Sequence, residues 1–182
     1  MRGLVLATLL AGLGIALAGS PAWGHTFPPV RTVVLQVERD EVVLLVGYRP
    51  GSGEPTQALL ARAASQPKSL ALKTLRSRMA TDAMAPLALV LDGVTLVPTS
   101  VRSKLGTEPS GVRPMVIVLV TYRVPRGTEL AVTSRDPRTT RISWADRDSG
   151  RVAISEAPTQ GKWFSGVASF LLQLRSCEPD CS

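Results

Sequence analysis

Three groups of residues have types and spacing that can do chemistry. The first is His25, the only histidine of the chain. If a leader is cut after Gly24, the chain starts His25-Thr26-Phe27-Pro28-Pro29, with a free α-amino group beside the imidazole. Two nitrogens so placed chelate Cu(II) in tetragonal geometry, and copper heads the divalent affinity order. A usable site needs a third ligand. With no second histidine, it must be a carboxylate such as Asp40, Asp92, Asp136 or Asp146, or the cysteines of the tail. The plainer reading leaves His25 as the first residue of a flexible terminus, or packed on Phe27.

The second group is Cys177-Glu178-Pro179-Asp180-Cys181. In an exported chain this pair closes a small disulfide loop or stays as two exposed thiols. Two thiolates alone do not make a specific metal site. The third group runs from Arg135 to Arg151 and mixes arginines with Asp136, Asp146 and Asp148. Its spacing departs from a calcium loop, so it reads as charges tying neighbouring strands together.

Composition excludes more than it admits. One His and two Cys rule out zinc fingers, three-histidine zinc enzymes and Cys-rich redox modules. A Ser-His or Cys-His triad would have to use His25 itself. Of the 182 residues, 45% are hydrophobic and 4% aromatic, with 21 Lys and Arg against 14 Asp and Glu. That is the balance of one globular domain and not of a disordered chain. The absence of any run of four basic residues, with so few aromatics for stacking, argues against nucleic acid as the partner.

The elements that must position these residues begin with residues 1–24. One arginine, an apolar run from Leu4 to Ala18 and a short Gly/Ser/Pro segment give the layout of a secretory signal peptide. The run is shorter than the roughly 20 residues that span a bilayer. Small residues allow cleavage after Ala18 or after Gly24. The expected location is therefore periplasmic or extracellular, with no membrane span once the leader is removed. Removal after Gly24 leaves 158 of 182 residues and a charge of +6, since one arginine goes with the leader.

Residues 25–175 read as one mainly β domain, and residues 176–182 as a polar tail. Val33, Leu35 and Val37 alternate, and Val42 to Tyr48 forms a second run, predicting a hairpin. Residues 55–83 change period: Thr56–Ala64 and Lys68–Ala83 suit two helices separated by Pro67. In the second, Leu72, Leu75 and Met79 share one side, while Lys73, Arg76 and Arg78 form much of the outer face. Leu87, Leu89 and Leu91 alternate up to Asp92-Gly93, a hairpin turn, and Val94 to Leu105 continues outward as its second strand. Arg102 to Pro114 reads as the longest mobile loop.

Met115 to Val124 should be a central strand, and Pro125-Arg126-Gly127 turns it into Leu130–Thr133. Arg141–Trp144 and Arg151–Ser155 suit short strands with Ser149-Gly150 between them. Val167 to Leu174 fits a helix or a strand, with strand favoured as the segment closing a sandwich beside its first strand. Seven or eight strands with one helical insertion predict an immunoglobulin-like antiparallel β-sandwich.

Several of these residues carry a likeness. The start at His25 with Pro28-Pro29, the hairpin of Thr32 to Tyr48, the leucine-rich helical stretch, Leu89-Val90-Leu91-Asp92-Gly93, and Arg135-Asp136 followed by Arg151-Val152-Ala153-Ile154 form one order of elements. It resembles the exported β-sandwich region preceding the membrane domain of nickel-permease-like hydrogenase and urease accessory proteins. The likeness covers about three quarters of the chain. It implies a bacterial envelope protein near metal trafficking; transport itself is not implied, because the membrane helices are missing.

The functional expectation is an exported, non-enzymatic β-sandwich without a cofactor that binds a protein or envelope partner through Lys73, Arg76 and Arg78. The alternative is a periplasmic copper- or nickel-binding protein built on His25. A hydrolase is the third class, with only Ser and Asp content behind it.

Overall fold

A computed structural model describes residues 27–107, 113–124, 126–146 and 161–175. Two strands open the chain, β1 (Val30–Val37) and β2 (Glu41–Arg49), followed by helices α1 (Glu54–Ala64) and α2 (Lys68–Met84). Six strands follow: β3 (Ala88–Leu91), β4 (Val94–Thr95), β5 (Ser100–Thr107), β6 (Pro114–Arg123), β7 (Glu129–Asp146) and β8 (Lys162–Gln173).

The expected first hairpin forms as an antiparallel pair, with Val33 opposite Val46 and Leu35 opposite Leu44. Alternation buries Arg31, Val33, Leu35 and Val37 on one face of β1. Pro67 stands between the helices, because a ring without an N–H starts a helix but cannot continue one. Leu75, Met79 and Ala83 form the buried stripe of α2, whereas Leu72 is about half exposed. Asp92 and Gly93 both adopt positive φ, 47° and 82°, as the twist of a two-residue hairpin requires.

The class is mainly β, but the sandwich gives way to a different architecture. All eight strands join one sheet in the order β4-β3-β7-β1-β2-β6-β5, with β8 on β7. The sheet is mixed, since β1 runs parallel to β7 while its other neighbours pair antiparallel. It curls strongly into a half-barrel.

The curl follows from chain connectivity. Arg123 ends β6 opposite Glu41, beside the β1–β2 turn, whereas Thr139 of β7 pairs with Val30 at the far end of β1. A straight β7 would carry Glu129 about 30 Å past that end. The link of residues 124–128 reaches only about 20 Å. β7 therefore bends, and its register against β8 shifts between Asp136 and Thr140, where a bulge supplies the turn of direction. The bend brings Glu129 back so that its carbonyl accepts from Asp92 N–H at 2.9 Å, while Val124 N–H donates to Asp40.

Further expectations change with it. Val94 to Leu105 is not one strand: β4 stops at Thr95, and past Pro98 the chain restarts as β5, which pairs with β6. Half of the expected mobile loop is thus strand. β6 is central, but its turn leads to β7 on the other side of the hairpin and not to a neighbouring strand. Arg141–Trp144 lies within β7 and not in a separate short strand. The ambiguous last segment is strand, placed beside β7 instead of β1. Arg151–Ser155 and its turn lie outside the described residues.

The core fills the concave side. Val33, Leu44, Val118, Val132 and Phe170 meet there, and α2 lays Met79 and Ala83 over β2 and β6. Each large side chain so buried contributes roughly 1.5–3 kcal/mol.

Candidate functional site

β8 pairs with one edge of β7 over Glu129–Asp136 and Thr140–Ile142, and β3 and β1 lie end to end along the other. The gap between them is polar. Arg31 points into it, fully buried, because it shares the inward face of β1 with Val33. Its Nη2 donates to Ser134 Oγ at 2.7 Å and lies 3.2 Å from Asp136 Oδ2; its Nε donates to Thr140 Oγ1 at 3.2 Å. Nη1 donates to the carbonyls of Ala83 and Ala85, tying the end of α2 to the sheet.

Arg138 flanks the same carboxylate, with Nη2 at 2.6 Å from Asp136 Oδ2. It also donates to the carbonyls of Asp82 and Ala85, and its guanidinium stands 5.5 Å from the centre of the Tyr48 ring. Burial alone would raise the Asp136 carboxyl, but hydrogen bonds from Arg138 and the charge of Arg31 hold it below the usual range. Burial lowers Arg31, opposed by Asp136, and pushes the Tyr48 phenol up, opposed by Arg138.

This cluster is a clamp between α2, β1 and β7. Its carboxylate is engaged by two guanidiniums, and a buried carboxylate so held lacks the near-neutral proton affinity that acid–base work needs. The expectation that Arg135–Arg151 ties neighbouring strands by charge is met at Asp136, which pairs with Arg31 of β1; Arg138 pairs within β7 and with the end of α2, and residues 147–151 lie outside the described residues. Arg31 was not singled out, although its spacing from Val33, Leu35 and Val37 carried the signal.

A second place has the properties of a docking site. The inward residues of β5, Val101, Ser103 and Leu105, align with Val120, Val118 and Val116 of β6. The β6 valines are fully buried, whereas Val101 is 58% exposed, because the cover given by α2 runs out along the last strand. Between α2 and β5 a groove opens, lined by Leu72, Lys73 and Arg76 of α2 and by the Ser103–Leu105 stretch of β5. This end measures about 410 Å³; the continuation past Ala80, Met84 and Val101 measures about 490 Å³. Among the described residues, no carboxylate lines either part.

The three basic residues named from the sequence are all exposed, but no one groove holds all three. Lys73 and Arg76 line the β5 groove; Lys73 also borders the cleft against α1, which Arg62 and Arg78 line, and Arg78 has its Nε 3.4 Å from Asp82. Five residues of helix set Lys73 and Arg78 about 140° apart around the axis. Lys104 and Val101 went unmarked because they lie in a segment read partly as a loop.

His25, Cys177, Cys181 and the residues 1–24 read as a leader from the sequence lie outside the described residues. Two of the carboxylates considered as partners of His25 are engaged elsewhere: Asp136 in the clamp, and Asp92 with the N–H groups of Thr128 and Glu129, at 3.1 and 2.8 Å. Those N–H groups, Glu129 first, hold the Asp92 carboxyl below its ordinary value. Among the described residues, no three His, Cys, Asp or Glu side chains gather as a metal would need. Nor is any described helix long and apolar enough to cross a membrane.

No family model, no curated protein and no solved structure matches this chain.

Proposed function

We propose that this protein is an exported, non-enzymatic β protein that recognises a partner through the groove between α2 and β5. The observation that carries the reading is that Lys73 and Arg76 stand over exposed apolar surface beside a strand that, among the described residues, is paired on one side only. Exposed apolar area rimmed by like charge marks an interaction surface. Export follows from the signal-like residues 1–24, and the clamp at Arg31 accounts for the buried charges without chemistry.

The test is recovery of partners from an envelope extract on immobilised protein. Reversal of both groove charges, Lys73→Glu with Arg76→Glu, should abolish recovery, while circular dichroism stays that of the wild type. Unchanged recovery would overturn the reading. N-terminal sequencing of the secreted form tests export.

A further inference from the structure

We infer that the occupant of this groove is an extended acidic segment of a partner protein, which pairs with β5 as an added strand. This rests on the proposed docking function and names its chemistry. β5 is the last strand of the sheet, and among the described residues it pairs only with β6. Its eight residues, Ser100–Thr107, are a full strand's length, and its outer edge offers a row of backbone N–H and C=O groups. Extended peptides bind such edges through main-chain bonds, with alternate side chains supplying specificity.

The side chains around β5 state what those alternate positions must be. Toward α2, the added strand meets exposed Val101 and Leu72, so every second residue should be apolar. On the opposite face, Arg102 and Lys104 are exposed and register with Leu119 and Ile117 of β6. Residues across from them should be acidic, since opposite charges on neighbouring strands attract. Lys73 and Arg76 add positive charge to the α2 wall, which favours a partner that is acidic overall. The charge also selects against the commonest intruder at a free edge. A second copy of β5 would set Arg102 and Lys104 against their own kind, which is how edge lysines discourage self-pairing.

The test uses a fluorescent peptide of about eight residues, alternating valine and glutamate. Binding is followed by anisotropy, and backbone hydrogen exchange of residues 100–107 is compared with and without peptide. The alternating peptide should bind and slow exchange in β5. Methylating the peptide amides that face β5 should weaken it about tenfold or more, as should Arg102→Glu with Lys104→Glu. Polyglutamate of equal length should bind far more weakly. Binding of polyglutamate as tight as the alternating peptide, indifferent to amide methylation and without protection of β5, overturns strand addition in favour of a polyanion surface. Absence of peptide binding to the wild-type protein also overturns it. Neither result touches the docking reading, which stands or falls on partner recovery after reversal of Lys73 and Arg76.

Discussion

Arg31 and Asp136 meet at 3.2 Å in the one stretch of β7 that neither β1 nor β3 covers. The pair fills the seam where two strands share an edge, and Arg31 continues through it to the carbonyls that end α2. Removing Asp136 leaves two guanidiniums facing each other with their neutralising charge gone. Asp136→Asn should cost about 3 kcal/mol at neutral pH, the low end for breaking a buried pair. Urea denaturation of both proteins measures it.

The same carboxylate sets an acid dependence. Its folded pKa is depressed, so its contribution is present above the unfolded value of about 3.9 and fades as pH falls through the lower folded value. The stability gap between wild type and Asp136→Asn should therefore be widest near neutrality and narrow below about pH 4. A gap that is constant between pH 7 and pH 3 would contradict the assignment.

Lysine should not replace Arg31. A single ammonium cannot reach Ser134, Thr140 and the Ala83 and Ala85 carbonyls together, as the planar fork does. Arg31→Lys should destabilise by at least about 2 kcal/mol, with faster hydrogen exchange where α2 ends.

Met79, 1% exposed, is the centre of the α2 stripe. Met79→Ala should cost about 2–5 kcal/mol. Thermal denaturation read by far-UV circular dichroism checks this.

Arg78 separates the two sides of α2. Its exposed pair with Asp82 is worth a few tenths of a kcal/mol, so Arg78→Ala should leave stability almost unchanged. It should also leave partner recovery intact, in contrast to reversal of Lys73 and Arg76. Loss of recovery in Arg78→Ala would shift the docking site to the α1–α2 cleft.

Local features were legible because they depend on neighbours in sequence. Alternation in Val33–Val37, the apolar run Val42–Tyr48, the break at Pro67 and the turn at Asp92-Gly93 each appear where periodicity and backbone preference place them. Even the buried position of Arg31 was written in the period of two. What local pattern does not encode is which strand lies beside which. The residues of β7 carry turn formers and charges, and these suggested an interruption where the structure has one bent strand.

The sequence by itself determined the mainly β class, the helical insertion, the first hairpin, the turn at Asp92-Gly93 and the exposure of Lys73, Arg76 and Arg78. Tertiary structure decided that the strands make a single half-barrel, because a short link from Arg123 to Glu129 forces β7 to bend around the core. That bend opens the seam that Arg31 and Asp136 fill. The order of the sheet also decided that, among the described residues, β5 ends it, leaving Lys73 and Arg76 beside its outer edge while Arg78 faces α1. Periodicity fixes which side chains point inward along one element. Only the packing of elements separated in sequence determines which charges share a surface.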